Sequence, residues 1–176
     1  ACTAGFGAAQ GIEYAVVIDV GGTTTDIAMI EDGKTVLSPE GCQIGEWRTH
    51  MEAVDMFTGG IGGDSHVMVD TKGKIHLGPS RVIPLAMANG FPEVNGWLGA
   101  DLKGKCLSLL PGLDTSNQTD GVVHALAADG PSTADTIRRK TGLSGVVLDK
   151  RLERLARGQM ILETGFTPTD ALHVLG

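Results

Sequence analysis

The stretch Asp19-Val20-Gly21-Gly22-Thr23-Thr24-Thr25-Asp26 gathers residue types that can bind phosphate. Glycines let a backbone turn tightly and approach an anion closely. Successive N–H groups in such a turn form an anion-binding nest, and threonine hydroxyls add donors. Asp19, at the end of an apolar run, is placed to hold a metal-bound water or to orient an attacking one. The pattern is neither a Walker A loop, which needs a Lys and a following helix, nor a Rossmann G-x-G-x-x-G. An ordinary Gly/Thr hairpin turn is the competing reading. A second loop, Gly59-Gly60-Ile61-Gly62-Gly63-Asp64-Ser65, sets four glycines around one apolar residue, which would let a flat ring lie against the backbone.

Other side chains point to weaker chemistry. His50, Asp55, Asp64 and His66, joined by Asp170 and His173, mix imidazole and carboxylate, a donor set that suits Zn²⁺ or Mn²⁺. Their spacing matches no ligand motif, and helix capping by Thr169 or Asp170 accounts for the last pair. Arg48 has the fork to bind a substrate carboxylate, although an ion pair is the plainer role. Cys42 has no His at usable spacing and reads as inert, and Ser65 lies in no nucleophile elbow.

The elements that must position these residues follow from the apolar pattern. Residues 1–12 are small and read as a tightly packed helix. Ala15–Val20 is a buried-strand run, Asp26–Ile30 the next strand, and Asp32-Gly33 a hairpin turn leading to Thr35–Leu37. His66–Asp70 and Ile75–Leu77 flank a second hairpin, with Gly78-Pro79 as its stop. Residues 88–118, rich in Gly, Pro and Asn, read as a loop or linker. From Asp120 the texture becomes helical. A first helix stops at Gly130-Pro131, a second is capped by Ser132, and a third, capped by Ser144, ends at Gly158. With Ile161–Phe166 as strand and turn, the order is that of a winged helix. Arg138, Arg139, Lys140, Lys150, Arg151, Arg154 and Arg157 lend this unit a basic stripe. The apolar start of the third helix, Gly145-Val146-Val147-Leu148, argues against base reading and for packing within a larger enzyme.

Composition bounds the rest. At 176 residues and 41% apolar, the chain can bury a core, which excludes a disordered tail. Fourteen basic against 21 acidic residues give a net charge of −7, so bulk nucleic-acid binding is disfavoured. No apolar run is long enough to span a bilayer. Three scattered cysteines, Cys2, Cys42 and Cys106, make no disulfide framework and point to a reducing cytoplasm. The missing initial Met and the amphipathic ending at Ala171–Gly176 suggest a piece of a longer chain.

Taken in order, Asp19–Asp26, Gly45-Glu46-Trp47-Arg48-Thr49-His50-Met51-Glu52-Ala53-Val54-Asp55, Gly62–Ser65, Leu77-Gly78-Pro79-Ser80-Arg81-Val82-Ile83-Pro84-Leu85 and Phe166-Thr167-Pro168-Thr169-Asp170-Ala171-Leu172 are together similar to the hydantoinase A/5-oxoprolinase family. The paired loops resemble the wider actin-like ATPase superfamily of sugar kinases, heat-shock 70 chaperones and actin. The resemblance implies an α/β chain, half of an actin-like ATPase (ribonuclease H-like) domain with a mixed sheet and a winged-helix-like insertion. Its expected divisions are an ATPase-fold lobe over 1–90, a linker over 91–118, the insertion over 119–165 and a return helix of the lobe over 166–176.

The implied activity is ATP-dependent opening of a cyclic amide, a hydantoin or 5-oxoproline, through phosphorylation of the amide carbonyl. Asp19, Gly21, Gly22, Thr23 and Thr24 would contact phosphate or Mg²⁺-bound water, with Asp19 the catalytic residue. Gly62, Gly63, Asp64 and Ser65 would line the nucleotide or the adjoining substrate side. Asp19, His50 and Asp55 are the metal candidates. The superfamily clamps ATP between two lobes with a phosphate loop each, and only one such loop is present, so this stretch is expected to be inactive alone. Its expected partners are a cyclic amide, the remainder of its parent chain and a hydantoinase B-like subunit, with neither membrane nor nucleic acid. A non-enzymatic sensor or scaffold on the same fold, and a kinase of the superfamily, are the alternatives.

Overall fold

The computed structural model describes residues 2–41, 43, 44, 47, 48, 51–99 and 104–175. The chain divides into two compact units, residues 1–63 and 64–176.

The first unit opens with α1 (Cys2–Ala9), as its run of small residues predicts. Strands β1 (Ala15–Val20) and β2 (Thr25–Glu31) follow as an antiparallel pair, in register from Ala15↔Ile30 to Val20↔Thr25. The Asp32-Gly33 turn has positive φ at both residues and returns the chain into β3 (Lys34–Thr35). Three further two-residue strands are β4 (Leu37–Ser38), β5 (Gln43–Ile44) and β6 (Trp47–Arg48), with β5 pairing β6. A fourth, β7 (Ala53–Val54), pairs with β4. Then β8 (Met56–Gly59) lies antiparallel on the first half of β2, with Thr25 opposite Gly59 and Ile27 opposite Phe57.

Side-chain alternation sorts the β1–β2–β8 sheet into two unlike faces. Ala28 and Ile30 are buried on the face that also buries Ala4 of α1. On the other face Val16, Ile18, Val20, Met29 and Phe57 are all exposed.

The second unit begins with a hairpin of β9 (Ser65–Val69) and β10 (Ile75–Arg81). Asp70 closes its tip. One carboxylate oxygen accepts the Lys72 and Lys74 N–H groups, and the other lies 2.9 Å from His76 Nε2. Gly78-Pro79 does not end β10, contrary to the sequence reading. The strand runs on to Arg81 with a shift of register after Leu77. A four-stranded mixed sheet follows, built from β11 (Ile83–Pro84), β12 (Lys105–Leu109), β13 (Ser132–Thr133) and β14 (Ile161–Gly165), in the order β11-β14-β12-β13. β12 lies inside the stretch 88–118 that reads as a loop. Its two ladder partners lie far along the chain, and its local signal, the short apolar run Cys106-Leu107-Ser108-Leu109-Leu110 between Gly104 and Pro111, is outweighed in the sequence by the Gly, Pro and Asn around it.

Helices α2 (Gly121–Asp129), α3 (Ala134–Thr141) and α4 (Gly145–Arg157) cover that sheet. Leu148, Leu152 and Leu155 recur along one face of α4, and join Leu107, Val122, Val123, Leu126, Ile137 and Ile161 in one buried cluster. Each such side chain contributes about 1.5–3 kcal/mol relative to exposure. The cap of α3 is Thr133, whose hydroxyl accepts the Thr136 N–H, and not Ser132. Ser132 belongs to β13 and donates its hydroxyl to the Gly130 carbonyl. Ser144 occupies the cap position of α4 without a capping hydrogen bond.

The last helix, α5 (Pro168–Leu175), starts at a reciprocal capping box. Thr167 N–H donates to the Asp170 carboxylate at 2.8 Å, and Asp170 N–H donates to the Thr167 hydroxyl at 3.3 Å. The other Asp170 oxygen accepts the Ala86 N–H at 2.8 Å, across 84 residues of sequence.

Candidate functional site

The turn between β1 and β2 is tight. Gly21 N–H donates to Thr24 O at 2.8 Å, leaving Gly22-Thr23 at the tip. The second glycine loop closes onto it. Gly63 N–H donates to Gly21 O at 2.9 Å, and the Thr25 hydroxyl donates to Ile61 O at 2.7 Å. Gly62 lies so near that an added Cβ would stand 2.6 Å from Gly21 O and Thr23 N, and 2.7 Å from Gly22 C. Only a glycine fits at that approach. Gly21 N–H is spent inside the turn, whereas the Gly22, Thr23 and Thr24 amides make no hydrogen bond among the described residues. Three consecutive N–H donors at a glycine turn are the raw material of an anion nest.

Asp19 and Asp26 face each other across the β1–β2 ladder at the mouth of this turn, and Thr58 of β8 lies opposite Asp26. Directly opposed carboxylates repel one another and destabilise a ladder unless a cation lies between them. The sequence reading gave Asp19 a role but passed over Asp26 and Thr25. The signal for both was the strand period across a two-residue tip, which sets them on the ladder directly after the turn. Asp55 anchors by its own N–H on Val36 O. His50 and Cys42 lie outside the described residues, and Arg48 falls on β6. Among the described residues no three His, Cys, Asp or Glu side chains come together as a metal cage.

Asp64 and Ser65 open the second unit. Asp64 O accepts Val82 N–H at 3.1 Å, and Ser65, fully buried, pairs in register with Arg81. His66 is fully buried as well, and burial is the main cause holding its imidazole below the usual range, with the Lys105 charge adding to it. Burial pushes the Cys106 thiol up to about 11, so it stays protonated and unreactive at neutral pH. His173 and Asp170 share α5, where Asp170 serves as capping residue.

A groove of about 470 Å³ in the second unit is lined by Asp120, His124, Asp129, Lys140 and Arg151 among others. Its cations are already engaged. Arg151 and Arg154 meet Asp120 at 2.6 and 3.4 Å, and Lys140 pairs with Asp129. Arg138 pairs with Asp135 at 3.2 Å and Arg157 with Glu153 at 3.7 Å. Five of the seven cations of the basic stripe are therefore paired with carboxylates of α2–α4 and of the α2 cap.

A family model described as hydantoinase/oxoprolinase matches residues 1–91, which include the turn, the overlying glycine loop and the β9–β10 hairpin. No curated protein matches the chain. Among solved structures, a nucleotide-free acetone carboxylase, from work on the mechanism of ATP-dependent acetone carboxylation, is 26% identical. That match covers 43% of this chain and 11% of the other, with a TM-score of 0.36.

Proposed function

The chain belongs to the hydantoinase/oxoprolinase family, and from that premise we propose that the Gly21–Thr24 turn with the overlying Gly62-Gly63 is the phosphate cradle of an ATP-dependent enzyme that opens cyclic amides of the hydantoin or 5-oxoproline type. The observation that carries this reading is the contact of the two glycine loops, backbone on backbone at a distance that excludes any side chain.

The residues fit such a group. Gly22, Thr23 and Thr24 supply free amides for phosphate oxygens, and Gly62-Gly63 holds the turn in shape. Asp19 and Asp26, opposed on the ladder, suit a Mg²⁺ ion or its bound water, since a divalent cation reverses their repulsion. When bound, ATP would supply phosphoryl activation of an amide carbonyl. Asp19 would hold and orient a water beside it. Ser65, fully buried in the second unit, is not open to a ligand. A Zn²⁺ or Mn²⁺ site on Asp19, His50 and Asp55 remains a second reading, resting on the donor chemistry of imidazole and carboxylate.

We read the whole as part of an actin-like ATPase lobe, with the α2–α4 region as a winged-helix-like arm. Exposed Val16, Ile18, Val20, Met29 and Phe57 support packing of the first unit against more of a larger enzyme, either its parent chain or a hydantoinase B-like subunit. The self-paired cations of the arm support a packing role for it, not nucleic-acid binding. No described helix is long and apolar enough to cross a membrane, and we place the protein in the cytoplasm on its cysteine usage.

The test is a titration of Mg²⁺-ATP, and separately of inorganic phosphate, followed by amide NMR. Shifts confined to Gly22–Thr24 and Gly62-Gly63 are the expected result. Saturating Mg²⁺-ATP that leaves these amides unmoved overturns the reading. Ring opening of hydantoin or 5-oxoproline coupled to ATP hydrolysis, by an enzyme containing this chain, separates a hydrolase from a scaffold. Accumulation of a phosphorylated product would indicate a kinase instead.

A further inference from the structure

His66 is the one described side chain that buries a polar atom without a partner, and that atom is Nδ1. Its other nitrogen, Nε2, lies 3.2 Å from the Gly104 carbonyl oxygen. A carbonyl only accepts, so Nε2 carries the proton and Nδ1 is left as a bare acceptor. The imidazole lies against backbone. A Cβ on Gly165 would stand 2.9 Å from His66 Cδ2 and 3.0 Å from Nε2. Next to it, Val67 N–H donates to Phe166 O at 2.8 Å. The start of β9 is thus fastened at two neighbouring points to the chain entering β12 and the chain leaving β14.

We propose that His66 is a positioning residue, a latch that holds Asp64–Val67 in place only as the neutral Nε2–H tautomer and lets that segment open when Nδ1 takes a proton from solvent. An imidazolium in this cradle would have a second N–H with no acceptor, and an unpaired charge in a buried site is costly. Of the charged groups around it, Lys105 of β12 disfavours the cation more than Glu163 of β14 favours it, and the two are paired with each other at 2.7 Å. Asp170 of α5 is committed to Ala86 and Thr167, and Arg81 of β10 stands in register with Ser65. The latch lies wholly within the second unit and does not rest on the phosphate-cradle reading.

The experiment uses the free protein without nucleotide. Imidazole ¹⁵N shifts and amide hydrogen exchange are recorded from about pH 8 to about pH 5. His66 is expected to stay neutral to below the ordinary imidazole range. Protection of Asp64–Val67, corrected for intrinsic exchange, is expected to fall about tenfold per pH unit below about 6.5. His66→Gln keeps a donor for the Gly104 carbonyl but cannot titrate, so that slope should vanish. His66 titrating at or above the ordinary imidazole value, or a slope unchanged in His66→Gln, overturns the proposal. Should the variant fail to fold, the native titration decides alone. A negative result leaves the phosphate cradle standing, and a failed ATP titration leaves the latch standing.

Discussion

Gly62 and Gly21 meet backbone to backbone, with room at Gly62 for a hydrogen and for nothing larger. The relation ties together two loops that lie about forty residues apart, through the Gly63 N–H on Gly21 O. A substitution at Gly62 therefore acts on the Gly21–Thr24 turn without touching any of its side chains.

Gly62→Ala must push the turn backbone aside. The expected cost is about 1–3 kcal/mol of stability in the first unit, together with weaker phosphate binding. Urea denaturation and the phosphate titration read the two effects. Gly60→Ala is the control, since its Cβ would meet nothing within 4 Å.

Asp19→Asn and Asp26→Asn should each stabilise the free chain, by about 0.2–1 kcal/mol, because each removes a like-charge pair opposed on the ladder. Both should weaken Mg²⁺-dependent nucleotide binding. Thermal melts with and without Mg²⁺-ATP separate the opposite signs. Loss of stability in the free chain would show that the two carboxylates do not repel.

Asp120 caps α2 through the Val122 N–H and takes Arg151 at 2.6 Å. Burial disfavours its charge, but the Arg151 hydrogen bond and the Val122 amide outweigh that and hold the carboxyl below its ordinary range. Its stabilising effect is therefore complete above about pH 4 and is lost as pH falls through the lowered value. Asp120→Asn keeps the cap but breaks the ion pair, whereas Asp120→Ala loses both and should cost about 1 kcal/mol more. Acid denaturation curves of the two variants test the ordering, and the acid-labile component should be missing from each.

Ile18→Thr removes an apolar side chain that is 60% exposed at the centre of the bare sheet face. Its effect on the stability of the isolated chain should stay within about 0.5 kcal/mol. Self-association, followed by light scattering against concentration, should fall. A large loss of stability would mean that Ile18 is covered.

Much of this architecture was legible because it is local. The apolar run Ala15–Val20, the strand Asp26–Ile30, the Asp32-Gly33 turn and the leucine period of α4 each stand within one element, although Ala15–Val20, read as a buried strand, leaves Val16, Ile18 and Val20 exposed. What escaped was set by distant partners. β12 is a strand because β13 and β14 flank it, and Gly78-Pro79 is bridged because β9 continues alongside. Thr133 caps in place of Ser132 because both are drawn into β13, which starts the helix one residue later, and the Ser132 hydroxyl is spent on the Gly130 carbonyl. At the site, the glycines and Asp19 were visible by residue type. Their arrangement was not, since no local pattern tells that Gly62 lies on Gly21. His66 was legible only as one member of a loose imidazole–carboxylate set, and its burial and bare nitrogen come from Gly104 and Gly165, far along the chain.

The bond from Ala86 N–H to Asp170 spans 84 residues and encloses β12, all three arm helices and β14. During synthesis the Ala86 end emerges long before its acceptor. Closing so long a loop early gains little against the entropy of the chain between its ends. Helices α2–α4 with their sheet are then expected to collapse first and to bring α5 back already near its target. The segment after β11 is then the last part of the second unit to lose sensitivity to proteases on a growing chain, and it becomes resistant only once Asp170 has left the ribosome.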